Sequence, residues 1–305
     1  MADTAWMSGG FLLRRAQRVH TSLWNDLFGN ELTGPQYSTL IAIARWPGSD
    51  QQTLGELTGH DKATMGGIIE RLETRALVER TPDPGNLRRY RLDLNEHGRA
   101  SMAAFAERAT AVHDALLDLL PEGSGAEFVG LVFAVAYAGG APQEPRVDDP
   151  GFPVMSMSTS IGHLLRRAHQ NHAARWNEIF AGEITTAQYS VLAACSALEV
   201  PDLFAVAELA GLDLSSAGAV ITRMEKDGWL VKVTDEQDKR RRLIHLTPVA
   251  RIAARWSVHG VEQVEEKLLG VLGEAERERL AFLARQLIDA HDAGRRGPRR
   301  PRGTE

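Results

Sequence analysis

From Gly10 to Leu27, apolar residues fall at Leu12, Leu13, Ala16, Val19, Leu23 and Leu27, a three-and-four spacing that puts them on one stripe of a helix. Thr33 followed by Pro35 predicts a helix N-cap with proline in the first turn, and Tyr37, Leu40, Ile41 and Ala44 carry that helix to Pro47. A shorter helix, TLGELTGH, ends near Gly59. Asp61 then caps a helix whose apolar side is Met65, Ile68, Ile69 and Leu72, leaving Lys62, Ala63, Gly66, Gly67 and Glu70 toward solvent or a partner. Two helices joined by a tight glycine-containing turn predict a helix-turn-helix. The period next changes to alternation: ALVERT, a DPGN turn and RRYRLDL, where Tyr90, Leu92 and Leu94 alternate with Arg89, Arg91 and Asp93. That is a hairpin with one wet face and a basic tip. Long helices follow, from about Glu96 to Leu120 and from about Glu127 to Ala138.

The same order of patterns then recurs. The phrase WNDLFGNELTGPQYSTL at Trp24 returns as WNEIFAGEITTAQYSVL at Trp176, and a shift of 152 positions aligns 12–98 with 164–250 without a gap, 29 of 87 positions being identical. A period of that length is far above the roughly 20 to 50 residues of solenoid repeats and fits one folded domain. In the second copy Asp213 caps SSAGAVITRMEKDGW, a hairpin surrounds DEQDKRRR, and long helices run from about Pro248 to Leu272 and Glu274 to Ala290. The chain reads as two tandem domains, 8–138 and 160–291, joined by a proline- and glycine-containing linker at 139–159 and followed by a basic tail at 292–305. As a flexible coil, some 20 linker residues span roughly 25 Å.

Composition narrows the class. With 305 residues, 43% of them hydrophobic, the chain can bury two cores, and no apolar run approaches the roughly 18 residues a membrane helix needs. The N-terminus shows no signal-peptide pattern and Cys195 is the single cysteine, so a disulfide within the chain is excluded and the cytoplasm is the expected compartment. A net charge of -5 gives no general attraction to nucleic acid, so a polyanion site has to be local. Neither repeat carries a phosphate-cradling glycine loop, a nucleophile elbow or clustered carboxylates with a base, so no enzyme is expected. Nor is a cofactor expected.

Helix-turn-helix plus basic hairpin between long helices resembles a winged helix of the multiple antibiotic resistance regulator (MarR) family. That family's recognition helix and wing read like D-x-S-T-V-S-R-L-V-x-R-L-E followed by D-P-x-D-R-R. This chain has DKATMGGIIERLE with DPGNLRR, then DLSSAGAVITRME with DEQDKRR. The resemblance implies a mainly α fold with small β-wings and two tandem winged helix-turn-helix domains flanked by long interface helices. Family members dimerise through those helices, which implies here a monomeric, intramolecular pseudo-dimer. The implied function is a DNA-binding transcriptional regulator, a repressor, on an imperfect palindromic double-stranded operator and released by a small molecule. The alternative is a ligand- or protein-binding module that has weak or lost DNA binding.

The candidate readers of DNA are Lys62, Ala63, Thr64, Gly66 and Gly67 in the first head and Ser215, Ser216, Gly218 and Ala219 in the second. Gly66-Gly67 and Gly218-Ala219 stand where the family places Ser-Arg. A helical glycine costs about 1 kcal/mol relative to alanine, so Gly66 and Gly218, at matching positions, imply either tight helix packing or close approach to the DNA backbone. The wing candidates are Arg88, Arg89 and Arg91, then Lys239, Arg240, Arg241 and Arg242, placed to enter a minor groove or neutralise phosphates. Against them stands a merely solvated hairpin. The arginine-containing tail is read as a phosphate clamp or a solubilising segment.

For an effector pocket the candidates are His20 and Trp24 with His172 and Trp176, each pair four apart and able to touch, although a tryptophan at such spacing also suits a core. His163, His169 and His172 lack an accompanying ligand pattern, so no metal site is expected. Cys195, in VLAACSAL, is expected to be a buried structural thiol.

Overall fold

The computed structural model describes residues 8–138, 140–145 and 155–296, without the side chains of Leu87, Arg88 and Arg296. Most of the basic tail and the middle of the linker therefore lie outside the described residues.

The first repeat runs α1 (Gly9–Phe28), α2 (Gly34–Arg45), α3 (Gln51–Thr58), α4 (Lys62–Thr74), β1 (Val78–Asp83), β2 (Asn86–Leu94), α5 (Glu96–Leu117) and α6 (Gly125–Ala136). The second repeats this order as α7 (Ile161–Phe180), α8 (Thr186–Ala197), α9 (Leu203–Leu209), α10 (Leu214–Lys226), β3 (Leu230–Thr234), β4 (Arg242–Leu246), α11 (Pro248–Leu269) and α12 (Glu274–Arg296). Local chemistry explains the boundaries. Thr33 and Thr185 each form a reciprocal capping box with the glutamine three residues on, satisfying two backbone donors at the starts of α2 and α8. Asp50, Asp61, Asp202 and Asp213 cap α3, α4, α9 and α10. The turn between α3 and α4 passes through Gly59 at φ +75°, and that between α9 and α10 through Gly211 at φ +62°, a left-handed backbone that glycine adopts without a Cβ clash. Helices α9 and α10 meet at 107°, as a helix-turn-helix requires.

Each wing is a two-stranded antiparallel sheet, Val78 opposite Leu94 in the first and Leu230 opposite Leu246 in the second. An isolated bridge extends each: Ser49 with Leu92, and Asp202 with Leu243. The residue that leads into α3 or α9 is thereby tied to the wing. The first core gathers Leu40, Ile41, Leu54, Met65, Ile69 and Leu92, the second Leu192, Val206, Ala217, Ile221, Met224 and Ile244, all essentially inaccessible. Among the described residues no single helix is long and apolar enough to cross a membrane.

The compact bodies do not coincide with the repeats. Of the described residues, one contains 8–15 together with 171–281, and the other 16–138, 140–145, 155–170 and 282–296. The first turns of α1 are thus packed with the second winged helix, and the first turns of α7 with the first. The described ends of the linker are also held. Glu144 accepts bonds from Ser156 Oγ at 2.8 Å and Ser158 N at 2.8 Å and faces Arg45 Nε at 3.3 Å, while Met157 is buried against the first core.

Candidate DNA interface and ligand cavity

At the N-terminus of α4, Asp61 accepts bonds from Thr64 N at 2.9 Å and from Thr64 Oγ1 at 2.8 Å, which hold its carboxyl below the usual range. Lys62, Ala63 and Thr64 are exposed on the first turn, so the helix end is formed and its residues face outward. In α10, Ser216 N donates to Asp213 at 2.7 Å, and Leu214, Ser215, Ser216 and Ala219 are exposed.

The glycines of these helices are not explained by packing. A Cβ built on Gly67 or Gly218 meets nothing within 4 Å, and one on Gly66 meets only the end of the Gln51 side chain at 3.3 Å. Of the two readings the sequence left open, tight helix packing is therefore not what the fold provides. The glycines leave a bare, half-exposed strip of helix backbone on the outward side.

The wings differ in how their cations are engaged. In the first, Arg89 lies 3.4 Å from Asp50 and Arg91 3.2 Å from Asp83, while Asp83 also accepts from Gly85 N at 2.8 Å. In the second, Arg241 Nε donates at 2.6 Å to the buried Asp235, whose other oxygen accepts from Gln237 N at 2.9 Å. That pair shapes the tip, and Lys239, Arg240 and Arg242 remain exposed around it. Sequence alone could not separate the arginine that builds the turn from those that project from it. The Arg88 side chain lies outside the described residues. Beside the first wing a concavity of about 670 Å³ opens between α3, α4 and the hairpin, with Lys62, Arg80 and Arg89 on its walls.

A second kind of site lies behind each head. In the body of the first winged helix, a cavity of about 140 Å³ is lined by His20, Trp24, Tyr37, Ser38, His163 and Arg166, among others. Arg166 comes from the first turns of α7. It is buried, donates to Ser38 Oγ at 3.2 Å and to His163 Nδ1 at 3.0 Å, and its Nε has no partner. Since a guanidinium cannot accept, His163 must accept on Nδ1 and donate from Nε2 to Tyr137 Oη, 2.8 Å away. Burial lowers the Arg166 pKa to about 10, which leaves it a cation at neutral pH with no carboxylate in ion-pair reach among the described residues. The Tyr37 hydroxyl is also buried without a partner, and burial pushes its pKa up to about 12.

Trp24 belongs to core and cavity wall at once. Its indole donates to Leu32 O at 2.6 Å and its ring stacks on Phe28 at 4.1 Å, while His20 sits 5.8 Å away. In the body of the second winged helix, Trp176 repeats this with Ile184 O at 2.6 Å and Phe180 at 4.4 Å, and His172 lies 5.9 Å from it. The predicted aromatic pairs are thus in contact. What the sequence reading missed is the arginine at matching positions 14 and 166, each in a stretch LLRRA. Arg14 donates to Ser190 Oγ at 2.6 Å and to Ala210 O at 2.8 Å, as Arg166 does to Ser38. An identical charged residue inside an apolar helical stripe, in both copies, was the available signal.

Cys195 is half-buried against the second core, and burial raises its thiol pKa to about 12, far from thiolate chemistry. Among the described residues no group of three or more potential ligands could hold a metal ion.

The buried histidines make stability sensitive to acid. Burial, reinforced by Arg166, lowers the His20 pKa to about 3 and that of His60 to about 4, and His163 falls well below its ordinary value. Above pH 6.5 the imidazoles are neutral in both the folded and unfolded chain. Below it only the unfolded chain takes up protons, so stability falls as pH falls from 6.5 toward 4. At pH 5 His20 alone accounts for a loss of about 2 kcal/mol. Thermal unfolding at pH 7 and 5 should show that loss, and His20→Gln should reduce it; a melting temperature flat across this range contradicts the assignment.

Two helix-turn-helix units, each followed by a hairpin wing and set among long helices, define a tandem winged-helix protein of the transcription-regulator class. The chain belongs to the MarR family, whose models match residues 31–89 and 184–241. It is 36% identical over 115 residues to the HTH-type transcriptional repressor NicR of Pseudomonas putida, covering 37% of this chain and 73% of NicR. It is 34% identical over 120 residues to the transcriptional regulator HosA of Escherichia coli O157:H7, covering 39% of this chain and 88% of HosA. Among solved structures, BpsR of Bordetella bronchiseptica, whose DNA binding is regulated by 6-hydroxynicotinic acid, is 32% identical; the match covers 44% of this chain and 97% of that one, with a TM-score of 0.43. The NicR and HosA matches each cover less than half of this chain, in keeping with two family domains in one polypeptide.

Proposed function

We propose that the protein is a cytoplasmic repressor that binds an imperfect palindromic operator as a single chain, its two winged helices reading unequal half-sites. The observation that carries this is the pair of capped recognition helices whose first turns are exposed and whose middles are bared by glycine. A helix enters the major groove by its N-terminal residues, and a bare strip lets its backbone come close to phosphates. The heads differ in chemistry: Lys62, Ala63 and Thr64 in one, Leu214, Ser215 and Ser216 in the other. A homodimer has to use two identical heads, whereas a fused chain does not. The single-chain reading is supported by the exchanged helix starts, since Arg14 of the first repeat bonds to Ser190 of the second and Arg166 of the second to Ser38 of the first. Repression is supported by the likeness to NicR.

A small organic anion is the effector this reading favours. Among the described residues the buried Arg166 cation has no carboxylate, Tyr37 and Arg166 each leave a polar atom without a partner, and both border a cavity. Selection of bound DNA sequences from a random pool tests the reading: the expected product is two different half-sites about one helical turn apart, bound at the mass of one chain. Recovery of no sequence, or of a perfect palindrome bound by two chains, contradicts it. Lys239→Ala with Arg240→Ala should weaken binding to all sequences alike and flatten the slope of log K against log salt by about 0.9 for each phosphate no longer neutralised; an unchanged slope removes the second wing from the interface.

A further inference from the structure

We propose that the chain takes up one effector molecule, not two: a one-ring organic anion enters the cavity of the first winged-helix body, while the equivalent place in the second is closed by its own side chains. The inference rests on the effector reading above and adds its stoichiometry and its site.

The two places correspond residue by residue at the 152-position shift. Each has a histidine (His20, His172), a tryptophan (Trp24, Trp176), a tyrosine (Tyr37, Tyr189), a serine (Ser38, Ser190) and an arginine (Arg166, Arg14) on its walls. The space they enclose is nonetheless about 140 Å³ in the first and about 20 Å³ in the second. The larger is of the order of the roughly 150 Å³ cavity that admits a benzene ring, and the smaller has room for no more than about one water. Two substitutions on the walls accompany the difference. Phe11 stands where the first site has His163, and its ring lies under the Arg14 guanidinium, 5.2 Å away, occupying space beside the cation. Thr186 lines the second site where Gly34 lines the first.

A third change replaces a neutral imidazole with an acid. Glu265 occupies the position of His113, and its carboxylate accepts from Gly9 N at 2.8 Å and Gly10 N at 3.0 Å. It also lies against His172: a Cβ placed on Gly10 would sit 2.3 Å from His172 Cδ2 and 3.0 Å from Glu265 Oε1. The second site therefore has an acid beside its histidine and tyrosine: burial raises the Glu265 pKa while the bonds from Gly9 and Gly10 oppose that rise, and burial first, then the field of Glu265, push the Tyr189 pKa up to about 12. In the first site Arg166 faces the buried, neutral His20 and His163; Asp114 acts on His113, but among the described residues Arg166 itself has no carboxylate partner. Size and charge agree in admitting an anion to one site and refusing it at the other.

Titration calorimetry of the intact chain against benzoate and its mono- and dihydroxy derivatives, with benzamide as neutral control, tests this. The expected result is one equivalent of carboxylate per chain and none of benzamide. Arg166→Gln should weaken binding at least 10-fold, and Arg14→Gln should leave affinity and stoichiometry unchanged. Two equivalents per chain, or loss on Arg14→Gln with Arg166→Gln unaffected, overturns the proposal and leaves the effector reading standing. Absence of binding by the whole panel overturns both. Should Arg166→Gln fail to fold, the stoichiometry of the unaltered chain decides by itself, and Ser38→Ala provides a second probe of the first site.

Discussion

Replacing Gly67 and Gly218 with glutamate is expected to raise the melting temperature and weaken specific DNA binding about 30-fold or more in the same variant. Both residues lie in helix interiors, where a glycine is less favourable than an ordinary residue by roughly 0.5–1 kcal/mol, and a Cβ at either position meets no protein atom within 4 Å. Helix propensity therefore predicts a more stable protein. On the outward face, however, each glutamate places bulk and negative charge where the helix backbone would approach a phosphate backbone, in a groove where a good base pairing by a side chain is worth about 1–3 kcal/mol. A penalty of that size at each head weakens binding about 30-fold or more. Fluorescence anisotropy with the selected operator, beside differential scanning calorimetry, reads both effects. Unchanged affinity in a stabilised variant shows that these faces do not meet DNA and moves the assignment to the wings. A destabilised variant shows a packing role that the fold gives no sign of.

Deleting residues 1–15 is expected to unfold the second winged helix in preference to the first, although those residues belong to the first repeat by sequence. Residues 8–15 of that segment form one compact body with 171–281, and Phe11, Leu12 and Leu13 within them are 6%, 2% and 0% exposed. Burial of three such side chains contributes roughly 5–9 kcal/mol, comparable to the whole stability of an ordinary domain. The deletion also removes the backbone donors of Gly9 and Gly10 from Glu265 and the Arg14 bonds to Ser190 and Ala210 O. Amide hydrogen exchange followed helix by helix is the measurement. Protection should collapse across α8 to α10 and persist across α2 to α4; collapse of the first head alone would mean that each repeat folds with its own helix start.

Much of the molecule is legible from residue order. Thr33 with Gln36, and Thr185 with Gln188, announce helix starts because their side chains satisfy backbone donors three residues away, an interaction that needs no tertiary partner. The caps at Asp61 and Asp213 and the alternation of Tyr90, Leu92 and Leu94 are local in the same sense. The wing cations were legible as a cluster but not in their roles, because Asp235 selects Arg241 as its partner through the geometry of a folded turn. Cavity residues were legible only where an aromatic pair lay four apart on one helix.

By itself, then, the sequence determined the duplication, the order of elements, the capped recognition helices and the family, since each depends on spacing within a few residues or on the register between two copies. Tertiary structure alone decided which helix start packs with which winged helix, because Arg14 and Ser190 are 176 positions apart and no periodicity links them. It alone showed that Gly67 and Gly218 have open space beside them, and that two similar sets of wall residues enclose unequal space. Volume and charge in a cavity are set by atoms that converge from distant parts of the chain, so a substitution such as Phe11 for His163, unremarkable along the sequence, acquires its meaning only where those atoms meet.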